Sequence, residues 1–156
     1  LHKDSKASLL LKNISISAEQ ENMLAELAET LIPASTTPGA KDTSAHLFAL
    51  RMVNDCMTKE KQQQFLKGLD AVEKMSEKAY SVSFAKATAS QREKLLAALE
   101  AKQASADALA FYQMMKDLTI QGYLSSKPVL GDVFHYELVP GRYNGAAPVK
   151  TIHHQA

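Results

Sequence analysis

The side chains that could support metal or acid–base chemistry form two short groups in this sequence. Asp42 and His46 stand four residues apart, a spacing that would place both on one face of a helix. His135 has Asp132 and Glu137 within three residues. A catalytic metal site needs about three protein ligands held by supporting contacts, and neither group supplies them at convincing spacing. We therefore predict no catalytic residue and no metal ligand, with a metal enzyme using His46 or His135 as an alternative.

The one cysteine, Cys56, excludes an intrachain disulfide and every multi-cysteine metal, haem or iron–sulfur motif. A thiol becomes a nucleophile when a neighbouring base activates it, whereas an unpaired cysteine is more often a small buried apolar side chain. We predict the buried state for Cys56, with a thiol enzyme as the alternative. The sequence also lacks a glycine-rich phosphate loop and a Gly-x-Ser-x-Gly elbow, so no cofactor-binding residue is predicted.

Length and charge restrict the class of protein. A chain of 156 residues is the size of one domain, and 18 lysines and arginines against 17 acidic residues give a net charge of +1. Because no basic field is present to attract phosphate groups, nucleic acid is not an expected partner. No apolar run reaches the length of a transmembrane helix, so contact with a membrane is expected only through partners or a removed N-terminal signal.

Five segments carry apolar residues at three- and four-residue spacing, which is the pattern of helices that bury one face. Most begin beside Ser or Thr, which cap helix N-termini, and two show a capping box in which Gln follows three residues later. The predicted starts are Ser17, Asp42 or Thr43, Thr58, Thr88 and Ser105. Short connections between these segments predict an all-α bundle of about five helices.

Three residues carry further local predictions. Gly68 lies inside the third helix, where glycine costs about 1 kcal/mol relative to alanine, so it indicates a close contact between helices. Gln62, on the same helix, is expected on the solvated side. The pair Pro38-Gly39 predicts a turn in which proline presets φ and Gly39 takes a positive φ.

The chain changes character after Ser126. Aromatic residues concentrate in the last third, and disordered ends are poor in them, so the sequence predicts an extended, irregular C-terminal tail packed on the bundle. Phe134, Tyr136 and Tyr143 are expected to hold this tail. The resulting division is an N-terminal arm at residues 1–16, a helical domain at 17–148 and a short disordered end at 149–156.

Three segments share the pattern of a known family. The first is residues 30–40, which read Thr-Leu-Ile-Pro-Ala-Ser-Thr-Thr-Pro-Gly-Ala. The second is Asp55-Cys56 with residues 65–69, Phe-Leu-Lys-Gly-Leu. The third is residues 111–123, which end in Leu-Thr-x-x-Gly-Tyr, with residues 139–145, Val-Pro-Gly-Arg-Tyr-Asn-Gly. Together they resemble the gluconate 2-dehydrogenase subunit 3 family, the small gamma subunits of membrane-bound flavoprotein dehydrogenases, over residues 17–148.

The resemblance implies a chain that does no redox chemistry itself and binds no cofactor. In that family a large subunit of the glucose–methanol–choline oxidoreductase type carries FAD and oxidises a sugar or sugar acid, and a cytochrome c subunit carries haem. The small subunit supports maturation, export or assembly of the flavoprotein. The expectation is a non-catalytic accessory subunit in the periplasm or cell envelope, whose export signal precedes Leu1.

Interfaces between proteins are anchored most often by tyrosine, arginine and tryptophan side chains. The expected partner interface consists of Pro38, Gly39, Tyr123, Tyr136, Arg142 and Tyr143. A free-standing binding or structural domain of the cell envelope, without a dehydrogenase partner, is the alternative to an accessory subunit.

Overall fold

The protein was analysed as a computed structural model, which describes residues 8–136 together with Val139 and Gly141. The helices are α1 (Ala18–Leu31), α2 (Ala45–Cys56), α3 (Lys59–Tyr80), α4 (Ala89–Glu100) and α5 (Ala106–Leu124), with a 3-10 turn at Phe84–Lys86 and a π-helical turn at Val129–Val133. No β-strand occurs in this described part of the chain, and the predicted all-α five-helix bundle is confirmed. The end predicted as disordered, 149–156, lies outside the described residues.

Side-chain caps begin α1 and α4 as predicted. Ser17 Oγ accepts a hydrogen bond from Gln20 N at 3.1 Å, while Gln20 Oε1 accepts one from Ser17 N at 2.9 Å. Thr88 and Gln91 repeat this exchange at 3.3 and 2.9 Å. Both capping boxes are confirmed, so these helices begin with satisfied amide groups.

The start of α2 differs from the prediction. Its first residue is Ala45, after Ser44 in the left-handed region at φ 56°, so a start at Asp42 or Thr43 is wrong. The reason is that Asp42 Oδ2 accepts a hydrogen bond from Gly39 N at 3.0 Å, which holds Asp42 in the preceding turn. Asp42 and His46 therefore do not share a helix face.

α5 contacts each of the other four α-helices and packs most extensively against α3 and α2. It buries Phe111 and Met115 completely. Two glycines allow its neighbours to approach closely, because a Cβ atom at Gly68 of α3 would overlap Phe111 and one at Gly122 of α5 would lie 2.8 Å from Phe48 Cδ1 of α2. The close helix contact predicted at Gly68 is confirmed.

Gln62 is buried, so its predicted place on the solvated side of α3 is wrong. Its Nε2 group donates to the carbonyl oxygens of Val53, Asn54 and Met57 at 3.1, 3.0 and 3.2 Å. Carbonyl groups in the last turn of a helix lack intrahelical partners. The Gln62 amide supplies those partners and joins the end of α2 to the start of α3.

The N-terminal segment, residues 8–16, is attached to the bundle at two points. At one, the Ser8 amide and hydroxyl donate to the two Glu21 carboxylate oxygens at 2.7 and 2.6 Å. At the other, Asn54 Oδ1 accepts from Asn13 N and Ile14 N at 2.9 and 3.2 Å. Ile14 is buried next to these bonds, so this part of the arm belongs to the folded core.

The contact at Gly68 gives the first prediction. In Gly68→Ala the added methyl group would overlap Phe111 and lie 2.5 Å from Asp107 O, so α3 and α5 must separate. We expect the free energy of unfolding to fall by about 1–2 kcal/mol, because overpacking outweighs the gain in helix propensity. Denaturant titration measures it. Gly131→Ala is the matched control, since nothing lies within 4 Å of its added Cβ, and an equal effect of both variants would contradict the packing account.

Candidate functional site

The α1–α2 loop, residues 32–44, is fixed to the bundle by side chains from neighbouring helices. Glu29, in the last turn of α1, accepts hydrogen bonds from Ala34 N at 3.0 Å and Lys41 N at 2.9 Å. One carboxylate thus holds both ends of the loop. Sequence reasoning missed Glu29, although an acidic residue at a helix C-terminus opposes the helix dipole and so signals another role.

Gly39 packs directly against that carboxylate. A Cβ atom at this position would lie 2.5 Å from each Glu29 carboxylate oxygen and 2.8 Å from Ala34 N. The φ angle of Gly39 is not positive, so the predicted positive φ is wrong. Glycine is required here for close approach and not for backbone freedom. Gly39 is also buried in the isolated chain.

A cluster of three charged side chains connects the loop to α1 and α4. Glu26 of α1 forms ion pairs with Lys41 of the loop and with Arg92 of α4. Burial alone would raise the pKa of Glu26, but the hydrogen bonds and charges of Lys41 and Arg92 outweigh burial and lower the pKa below its ordinary value. The carboxylate is therefore ionised at neutral pH and connects α1, the loop and α4.

Tyr123 holds the loop from the last turn of α5. Its hydroxyl donates to Pro38 O at 2.9 Å and lies 3.4 Å from Thr37 Oγ1. The structure thus brings together Pro38, Gly39 and Tyr123 of the predicted interface. Pro38 and Tyr123 are half-buried. Residues 33–36, which we call the loop crest, are exposed, as are Lys41, Asp42 and Ser44 at the other end of the loop.

Large apolar side chains are exposed where α5 ends and in the segment that follows. We call this set the α5 end surface, which comprises Ile120, Leu124, Val133, Phe134, Tyr136 and Val139. Phe134 is 57% exposed and Tyr136 is 56% exposed. Apolar side chains that form a contiguous exposed patch commonly mark sites of contact with other proteins.

Phe134 and Tyr136 do not hold the C-terminal segment against the bundle, so that prediction is wrong. Val129 is buried instead, and backbone bonds from Phe134 N to Val129 O and from Tyr136 N to Leu130 O close the turn at 3.0 and 2.8 Å. Both aromatic rings remain more than half exposed. Arg142 and Tyr143, also predicted for the interface, lie outside the described residues, as does Glu137.

A cleft between the start of α1 and the middle of α3 is lined by four carboxylates, Glu19, Asp70, Glu73 and Glu77, with Lys86 at its border. Burial raises the pKa of Glu73, and the other three carboxylates add to this, although a hydrogen bond from Phe84 N opposes it. Across the described residues, no three histidine, cysteine or carboxylate side chains are placed to hold a metal ion.

His46 and Cys56, the residues considered for chemistry, occupy opposite environments. His46 is buried and its Nδ1 atom has no hydrogen-bond partner within the described part of the chain. Cys56 is exposed, so its predicted burial is wrong. Its spacing from Ala49 and Val53 places it on their buried face, but it is the last residue of α2 and the bundle does not extend over it.

Comparison with known proteins gives one match. A protein-family model described as gluconate 2-dehydrogenase subunit 3 matches residues 18–141, a range that includes α1 to α5, the α1–α2 loop and the α5 end surface. No curated protein and no solved structure matches the chain significantly. In the described residues, no helix has the length and apolar character needed to cross a membrane.

Buried His46 gives a prediction about pH. Burial lowers the pKa of His46 below its ordinary 6.5; Glu21 opposes this shift and Lys41 adds to it. Below that pH the unfolded chain binds a proton that the folded chain does not, so stability falls as pH falls through about 6.5. Between pH values of about 7.5 and 5.5, we expect His46→Gln to lose less stability than the wild type, because the variant lacks the group that takes up a proton on unfolding.

Denaturant titrations at a series of pH values measure this difference in slope. His135→Gln is the matched control, because His135 is exposed and its replacement should leave the wild-type slope unchanged. An identical pH dependence for the wild type and His46→Gln would show that His46 is protonated equally in the folded and unfolded states.

Proposed function

The chain belongs to the gluconate 2-dehydrogenase subunit 3 family, and from that membership we propose that it is the non-catalytic small subunit of an FAD-dependent sugar or sugar-acid dehydrogenase. In this proposal the large subunit binds FAD and oxidises the substrate, and a cytochrome c subunit passes the electrons on. The small subunit supports maturation, export or assembly of the flavoprotein and acts in the periplasm or cell envelope.

One observation carries the proposal, which is the extent of the family match. It covers residues 18–141 and so includes the bundle and both surfaces described above. A match confined to one helix would support a shared fold element only, because short helical patterns recur in unrelated proteins. The match supports a role as a component of a dehydrogenase complex, and the name of the family supplies the class of complex.

The α5 end surface supports a role in binding another protein. Phe134 and Tyr136 are both more than half exposed, and aromatic side chains are enriched at the buried centres of protein interfaces. A dehydrogenase subunit placed over them would remove their rings from water, which is favourable in proportion to the apolar area covered. We assign the α5 end surface as the contact with the flavoprotein subunit.

The assigned contact gives a binding prediction. The double variant Phe134→Ser/Tyr136→Ser should lose copurification with an FAD-dependent oxidoreductase subunit co-expressed from the same organism, because two exposed anchors are removed. Its helical circular dichroism should match the wild type, since neither ring contributes to the core. Copurification on an affinity-tagged small subunit, with bound FAD read by absorbance, measures the result.

The matched control is Leu10→Ser, which removes another apolar side chain, 91% exposed, from the N-terminal segment. We expect this variant to bind as the wild type does. If the double variant retains the oxidoreductase, the α5 end surface is not the contact. If the folded wild type recovers no oxidoreductase, the chain is a free-standing domain of the cell envelope and the proposed function is wrong.

A further inference from the structure

We propose that the α1–α2 loop is a preorganised recognition element, whose loop crest contacts the flavoprotein subunit while Tyr123 and Glu29 act as positioning residues. This inference rests on the proposed function, because it takes the same subunit as the occupant. It assigns different roles to residues that sequence reasoning grouped as one interface. Tyr123 and Gly39 shape the loop, and residues 33–36 make the contact.

The length of the loop is the first argument. Thirteen residues separate Leu31, where α1 ends, from Ala45, where α2 begins. Connections of this length without regular structure are uncommon in compact domains and usually have a function. Fixing each of these residues costs backbone entropy, which a purely connecting segment would avoid by being short.

The second argument is how the loop is held. Its anchors come from three helices: Glu29 and Glu26 from α1, Arg92 through Glu26 from α4, and Tyr123 from α5. Glu29, Glu26 and Tyr123 each bond a loop group directly, which is a backbone amide, the Lys41 ammonium group or the Pro38 carbonyl, and Arg92 pairs with Glu26. A rigid scaffold that presents an otherwise irregular loop is a common construction for binding residues.

The third argument is what the crest presents. Residues 33–36 are exposed and read Pro-Ala-Ser-Thr, and a bond from Ser35 N to Thr37 O at 2.9 Å closes the segment. These side chains are small and uncharged, so another backbone can approach them closely. The crest therefore fits an uncharged protein surface that offers hydrogen bonds, and it does not fit a strongly charged ligand.

Continuity joins the crest to the α5 end surface. Tyr123, which holds Pro38, is adjacent in α5 to Leu124, a member of the α5 end surface that is 45% exposed. One turn of α5 thus carries both the loop anchor and part of the proposed contact. Because the same turn of α5 carries both, we assign one occupant to the α5 end surface and the crest.

The Tyr123 hydroxyl is the group on which the test depends. Tyr123→Phe retains the packed ring but removes the bond to Pro38 O. Hydrogen exchange of the isolated chain should show amide exchange in residues 34–41 accelerated by about tenfold, because the loop opens more often. Tyr80→Phe, at another half-buried tyrosine on α3, is the matched control and should leave exchange in that loop unchanged. Unchanged loop exchange in Tyr123→Phe would overturn the positioning role.

Binding to the co-expressed FAD-dependent oxidoreductase subunit tests the recognition role. Tyr123→Phe should bind about tenfold more weakly, since a loosened loop must be ordered on binding. Thr36→Arg, which places a bulky charge on the crest, should abolish binding while the fold is retained. Gln63→Arg, at an exposed position on α3, should bind as the wild type does.

The outcomes separate this inference from the proposed function. If the wild type binds the oxidoreductase and Thr36→Arg binds equally well, the crest is not a contact and only the present inference is overturned. If the wild type is folded and its loop amides exchange slowly, but it binds no oxidoreductase, the proposed function fails and this inference fails with it. Loss of binding in Thr36→Arg together with weaker binding in Tyr123→Phe would establish both roles.

Discussion

The close packing of α5 against α3 and α2 is the constraint on which the rest of the structure depends. Gly68 and Gly122 leave room for Phe111 and Phe48, so helices on both sides lie near the α5 backbone. This position of α5 places Tyr123 beside Pro38, and it places the end of the helix where the apolar side chains that follow face solvent. Both proposed contact surfaces therefore depend on helix packing that lies outside them.

Polar side chains form hydrogen bonds with the backbone groups that apolar packing leaves without partners. The ends of helices expose amide and carbonyl groups that need partners, and the chain supplies those partners from other elements. Gln62 serves the carbonyl groups at the end of α2, and Glu29 serves amides at both ends of the α1–α2 loop. Such residues fix connections that would otherwise be free to move, and this is how an irregular loop becomes a defined surface.

The described residues that are unusual for their position lie in the two proposed contact surfaces. Two charged groups, Glu21 and Lys41, influence the pKa of the buried His46, and the exposed Cys56 is the last residue of α2. The groups that are unusual for their position are exposed apolar and aromatic side chains and a loop whose uncharged crest is held in place by side chains of three helices. Surfaces of this kind gain stability when another protein covers them.

Local sequence patterns by themselves determined the five helices and the starts of four of them, because periodicity and capping act within a few residues. The boxes at Ser17 and Thr88 and the tight contact at Gly68 were predictable for that reason. The sequence also placed Pro38, Gly39 and Tyr123 in one predicted interface. Only the tertiary structure decided which of them are buried, that Gln62 faces inward and that Phe134 and Tyr136 face outward. Whether a side chain is buried depends on the helices that pack against it, and those helices come from distant parts of the sequence.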